Sequence, residues 1–336
     1  MKLGDIGEFG FIDRIAQGCL VGEPSHVVRG IGDDAAVVRC PHGLLLITTD
    51  LLIERVHFLR PAISPTQLGT KALAVNLSDI AAMGGTPCDA FVSIAIPAEV
   101  PVEELDGIYD GMKALARRTG VNILGGDTTR SSQDLCLNLV VTGFVPEGEA
   151  LYRSGARVGD RIVVTGTLGD SAGGLRILLE RLELPHEVAA PLLAAHLEPE
   201  LYLEEARLFA TSGWAHAAID LSDGLASDLG HVCRASGVGA VVDVAALPLS
   251  AELGELCRAA GGDPLALALG GGEDYRLLVA VAPEGVEPLT RSVAAATGRR
   301  LYEIGEVVPG SGIRLRHPDG RLEPLTLSGF DHFAHR

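Results

Sequence analysis

The segment SPTQLGTKALAVNLSDIAAMGG, from Ser64 to Gly85, constrains this chain more than any other. Ser64 suits a helix N-cap, Pro65 the first helical position, and Gln67 the far side of a capping box. Gly84-Gly85 supplies the stop. Counted around the helix, Leu68, Ala72, Val75 and Asp79 form one stripe, and Leu73, Leu77 and Ile80 form its apolar neighbour. Such a helix is predicted to be buried nearly all round, and it carries Asp79 with it. A buried carboxylate is costly unless a cation or a full set of hydrogen bonds compensates it. Lysine occurs only at Lys2, Lys71 and Lys113, so few bases are placed to pair with it.

Other aspartates sit in suggestive places. Asp33-Asp34 follows Gly30-Ile31-Gly32. Asp50 ends a predicted strand after Thr48-Thr49, and Asp127 ends another after Gly125-Gly126. Asp220 and Asp223 flank Ser222 at a predicted strand-to-helix turn. Glycine beside a carboxylate lets the backbone approach a ligand, and strand ends are where open α/β-type sheets build their crevices. One Asp-Gly turn alone reads first as a turn former or a cap. Several acids converging without matching bases point instead to a hard cation with oxygen ligands, Mg²⁺ before Zn²⁺.

The pattern along the chain alternates strands and helices. Residues 44–48, 91–96, 121–124 and 135–145 read as strands, and 102–118 as a helix. The polar, glycine-rich stretch PEGEALYRSGARVG marks a domain boundary, giving domains 1–148 and 149–336. In the second, 161–165 and 275–281 read as strands, and 172–182, 200–212 and the stretch from Gly224 to about Ala235 as helices. Both halves look α+β. A length of 336 residues suits two domains.

A formal net charge of −17 argues against a nucleic-acid partner. No apolar stretch approaches the roughly 20 residues of a membrane span. The N-terminus lacks the order of a signal peptide. The six cysteines (Cys19, Cys40, Cys88, Cys136, Cys233, Cys257) contain no CxxC pair, which suits free thiols and a cytoplasmic address and gives no zinc site.

Mg²⁺ held by carboxylates suggests phosphate chemistry. No GxxxxGK[ST] loop is present. The turn Gly166–Gly174 is glycine-rich before a helix and is a candidate anion site, with an ordinary tight turn as its other reading. Arg153 is a candidate phosphate partner or a solvated surface arginine. By themselves His57, Glu273 and Phe330 carry no chemistry: His57 suits a satisfied histidine, Phe330 a C-terminal core anchor.

Taken together, GIGDDAAV, TTDLLIERVHF, KALAVNLSDIAAMGG, ILGGDTTR, RSGARVGD, VTGTLGDSAGGL, DLSDGLASDLGH, LGGGEDYRLL and GFDHF resemble the thiamine-monophosphate kinase family. That family lies within the superfamily of aminoimidazole ribonucleotide synthetase and selenophosphate synthetase. The resemblance implies a two-domain aminoimidazole-ribonucleotide-synthetase-like fold. Its N-terminal sheet would pair with a second copy in a homodimer, beside an α/β C-terminal domain. The implied activity is ATP-dependent, Mg²⁺-dependent phosphorylation of thiamine monophosphate, the last step of thiamine diphosphate biosynthesis. By the resemblance, Asp34, Thr48, Thr49, Asp50, Asp79, Asp127, Asp220 and Asp223 would be metal ligands. Tyr109, Gly126, Asp127, Arg153 and Ser222 would contact ATP, and His57, Glu273 and Phe330 thiamine monophosphate. Transfer would be direct and in line, with no aspartate as nucleophile. The rival readings are another ATP-dependent synthetase of the superfamily and a non-catalytic nucleotide-binding regulator.

Overall fold

The computed structural model describes Ile12, residues 26–41 and residues 43–326. Phe330 and Cys19 lie outside the described residues. The first layer holds β1 (Val27–Arg29), β2 (Ala36–Cys40), β3 (Gly43–Ile53), α1 (Pro65–Ala82), β4 (Thr86–Pro97), α2 (Val102–Thr119), β5 (Asn122–Ser131) and β6 (Cys136–Val145). Its six strands run in the order β1-β2-β3-β6-β4-β5. All pairs are antiparallel except β4–β5, which α2 links as a crossover.

Strand alternation decides which face is covered. Leu44, Leu46 and Leu52 of β3, with Leu137, Leu139 and Val141 of β6, are buried in one cluster with Leu68, Leu73 and Leu77 of α1. Residues one step out of phase face away from the helices, and among them Leu51 is 48% exposed and Phe91 39%. Among the described residues the helices pack on the Leu46 face, and the other face keeps these apolar side chains exposed.

The capping box at the start of α1 is complete. Ser64 Oγ accepts from the Gln67 N–H at 3.2 Å, and the Ser64 N–H donates to Gln67 Oε1 at 3.1 Å. Helix α2 lies so close that a Cβ at Gly69 would sit 1.8 Å from the Ile108 carbonyl oxygen.

The second layer holds β7 (Arg161–Val164), α3 (Asp170–Glu180), α4 (His186–Leu197), α5 (Leu203–Ser212), β8 (Ala215–Asp220), α6 (Leu225–Ser236), β9 (Gly239–Asp243), α7 (Ala251–Ala260), α8 (Pro264–Gly270), β10 (Leu277–Val281), α9 (Pro283–Thr297), β11 (Tyr302–Val308), β12 (Gly312–Arg316) and β13 (Leu322–Pro324). The strand order is β13-β12-β9-β11-β7-β10-β8, antiparallel apart from β9–β12. The C-terminal end of α1 reaches this layer: Ala81 and Ala82 pack with Leu151, Tyr202, Phe209 and Val279. One helix thus touches both sheets, and a cleft of about 1010 Å³ opens along it.

Two sequence expectations need correction. Asp50 and Asp127 do not end strands, because β3 and β5 continue through them to Ile53 and Ser131. The glycine-rich turn before α3 is not an open anion site. Asp274 already accepts from the Gly169 N–H at 2.7 Å and the Ser171 N–H at 3.3 Å. The chain's own carboxylate occupies the positive end of that helix.

Candidate active site

Four acids arrive from four elements. Asp34 follows β1, Asp50 lies on β3, Asp79 on α1, and Asp220 ends β8. One carboxylate oxygen each from Asp34, Asp79 and Asp220 lies within 4.8 Å of the others. Thr48 Oγ1 donates to Asp79 Oδ2, and Ser78 Oγ donates to Asp220 Oδ2 at 2.7 Å. Arg153 donates to Asp34 Oδ1 through Nε and Nη2, while the buried Asp34 Oδ2 has no partner among the described residues.

Burial governs the electrostatics. It pushes Asp34 up to about 7 against the pull of Arg153, with Asp220 and Asp33 adding repulsion. Burial likewise raises Asp50 to about 6 and Asp220 to about 6. Asp79 moves well above the usual carboxylate range, first through burial and then through Asp50, Asp220 and Asp34. One arginine does not balance this set. An all-oxygen cluster with a buried unpartnered carboxylate oxygen suits a hard divalent cation.

The cleft also brings in Ser222, Asp223, His57 and Glu273. The Ser222 carbonyl accepts from the Glu273 N–H at 2.7 Å, which ties the Asp220–Asp223 turn to the loop before β10. His57 accepts at Nδ1 from the Ile53 N–H at 3.0 Å. Glu273 Oε1 lies 3.0 Å from Lys71 Nζ, and Oε2 lies 3.2 Å from His196 Nδ1. Burial raises the Glu273 carboxyl, but Lys71 and then His196 outweigh it and hold it below its ordinary value.

Four predicted residues, Thr49, Gly126, Asp127 and Tyr109, do not join this cluster within the chain. Thr49 faces the open side of the sheet, where its Oγ1 accepts from Asn138 Nδ2 at 3.0 Å. Asp127 is exposed on the edge strand β5, in one row with Ser93, Asn138 and Leu51. That row puts Asp127 three strands from β3, about 14 Å at the usual spacing, and on the face opposite Asp50. Beside it Gly126 runs at φ 151°, with room for no Cβ because the Val92 carbonyl oxygen would be 1.7 Å away. Tyr109 lines a separate hollow of about 680 Å³ with Lys113, Arg117, Asn122 and Leu124.

Lys71 and His196 were missed by the sequence reading, as was Asp228, a buried acid whose carboxylate accepts from the Asp223 N–H at 3.1 Å. A signal existed for Lys71: it stands eight residues before Asp79, on the cleft side of the same helix.

Comparison with known proteins identifies the family. The AIR synthase related protein family matches over residues 32–145 with its N-terminal domain and 157–318 with its C-terminal domain. A thiamine-monophosphate kinase of Salmonella typhimurium is 42% identical over 335 residues, covering 98% of each chain. One from Aquifex aeolicus is 36% identical, covering 99% of this chain and 100% of its own. The solved structure described as "AaThiL complexed with AMPPCP and TMP" superposes with a TM-score of 0.86 at 35% identity, covering 99% of both chains. No helix among the described residues is long and apolar enough to cross a membrane. The chain therefore belongs to the thiamine-monophosphate kinase family of AIR synthase related proteins.

Proposed function

We propose that this chain transfers the γ-phosphate of ATP to thiamine monophosphate, yielding thiamine diphosphate and ADP, in a Mg²⁺-dependent reaction. The observation that carries the reading is the convergence of Asp34, Asp79 and Asp220, whose oxygens lie within 4.8 Å with one buried oxygen unpartnered. Family membership and the relative complexed with AMPPCP and TMP supply the substrates.

Asp34, Thr48, Asp50, Asp79, Asp220 and Asp223 would hold Mg²⁺ within one protomer. Bound there, Mg²⁺ would offset the repulsion between two phosphate groups and favour an in-line arrangement. The acceptor is a phosphate monoester, ionised enough at neutral pH to attack without a strong base. The aspartates act as ligands, and none becomes phosphorylated. Arg153 and Ser222 would contact the ATP phosphates, and His57, Glu273 and Phe330 the acceptor.

The reading includes a homodimer built on domain 1–148, with 149–336 as the second domain. Thr49, Gly126, Asp127 and Tyr109 lie away from the acid cluster of their own chain, and the open sheet face carries exposed Leu51 and Phe91. A second copy packed on that face would shield it and bring Asp127 of the partner subunit toward Thr49. The cytoplasm is the expected compartment.

The test is turnover of ATP with thiamine monophosphate and Mg²⁺. Thiamine diphosphate and ADP should appear in equal amounts, and EDTA should stop both. ADP formation with free phosphate and no thiamine diphosphate would refute the reading.

A further inference from the structure

Lys71 is 1% exposed and is among the largest fully buried side chains described. Burying an ammonium costs several kcal/mol unless a carboxylate answers it, and Glu273 does so at 3.0 Å. The pair is one-sided: the Glu273 side chain keeps 26% of its surface open while Lys71 hides behind it. The second carboxylate oxygen is held by His196, 4% exposed, whose Nδ1 also lies 3.1 Å from Ser171 Oγ. A carboxylate can only accept, so the proton belongs on Nδ1. Burial, with Lys71 reinforcing it, lowers His196 to about 4, so the ring is neutral. Glu273 itself sits at φ 65°, a left-handed backbone that a non-glycine residue adopts only when its surroundings hold it there.

This cluster lies on the same side of α1 as Asp79, two helical turns or about 12 Å away. The separation leaves the phosphate end of an acceptor by the aspartates and its aromatic end by Glu273. Because Lys71 and Glu273 cancel, a cationic ring meets a pair of zero net charge. What the pair still offers is the open edge of a fixed carboxylate.

We propose that Lys71 and His196 are positioning residues that fix both oxygens of Glu273, so that it recognises the aromatic end of the acceptor by directed hydrogen bonding and not by net charge. The proposal rests on the acceptor site assigned above and adds how that site is held. It assigns Lys71 no contact with substrate.

A double-mutant cycle decides it. Lys71→Met, Glu273→Gln and the double variant are compared by kcat and by KM for thiamine monophosphate and for ATP, at saturating Mg²⁺. Each single change should raise KM for thiamine monophosphate on the order of tenfold or more, as for loss of a charged hydrogen bond. KM for ATP should stay within about twofold. The double variant should be no worse than Glu273→Gln, because Lys71 acts only through Glu273. Lys71→Arg should recover part of the loss. Should Lys71→Met fail to fold, the double variant carries neither buried charge, and its KM against that of Glu273→Gln still decides. Multiplying effects, or an equal rise in KM for ATP, would overturn the proposal. An unchanged KM for thiamine monophosphate in Glu273→Gln would instead sink the acceptor-site reading beneath it.

Discussion

The two ends of the cleft along α1 solve the problem of buried charge in opposite ways. At the Lys71 end, ammonium, carboxylate and neutral imidazole satisfy one another. At the Asp79 end, four acids meet with Arg153 as the only base paired to them among the described residues, and burial lifts each toward protonation. A self-satisfied cluster can orient a ligand. A cluster carrying excess negative charge needs a cation to become stable in its ionised form. On the proposed function, chemistry belongs to the Asp79 end and recognition to the Lys71 end.

The largest effect belongs to Asp79→Asn. It keeps the shape of the side chain and removes a charge that neighbouring acids oppose. Turnover should fall on the order of a thousandfold or more, because several kcal/mol of charge stabilisation are lost. The metal-free variant should melt at or above the wild-type temperature. Near-normal kcat across a Mg²⁺ titration would erase the distinction between the two ends.

The next prediction concerns Asp127, which stands on the wrong face and about 14 Å from β3 within its own chain. Asp127→Asn alone should cost kcat on the order of a hundredfold. Co-expressing Asp127→Asn with Asp79→Asn should then restore activity. In a mixed dimer one of the two composite sites is intact, so random assortment gives about a quarter of wild-type activity. Recovery measured on the co-purified mixture supports a shared site; none would mean that each chain keeps its own Asp127.

A smaller effect is expected from pH. The acids at the Asp79 end have folded-state values above the ordinary one of 3.8, near 6 for Asp50 and Asp220 and near 7 for Asp34. Their contribution to metal-free stability is therefore fully present below about pH 4 and lost as pH rises through about 7. Mg²⁺ selects the ionised form, so the melting-temperature gain from Mg²⁺ over EDTA should grow between pH 5 and 8 by several degrees. A gain independent of pH would separate the cation from these carboxylates.

Much of this was legible in the sequence, and for definite reasons. The capping box, the glycine stop and the all-round apolar pattern fixed α1 to within a residue or so of Pro65–Ala82. Asp79 stood out because its helix is apolar nearly all round and few bases are placed to pair with it. Strand ends were less legible: Gly125-Gly126 looks like a terminator, but here it forms part of an edge strand whose partner β4 approaches too closely for a side chain. Lys71 was passed over because a single lysine on a helix usually solvates its head group. Only the fold brings the loop of Glu273 over it. The separation of Asp127 and Thr49 from the acid cluster was invisible, since the residues of one motif set divide between two faces of a sheet.

Calorimetric titration of Mg²⁺ into the metal-free protein, with a non-hydrolysable ATP analogue present, separates the two ends of the cleft most directly. Wild type, Asp79→Asn and Glu273→Gln would be compared side by side. Asp79→Asn should lose most of the Mg²⁺ binding heat while Glu273→Gln keeps a wild-type isotherm. Equal Mg²⁺ binding by wild type and Asp79→Asn would contradict the metal-ligand role of Asp79.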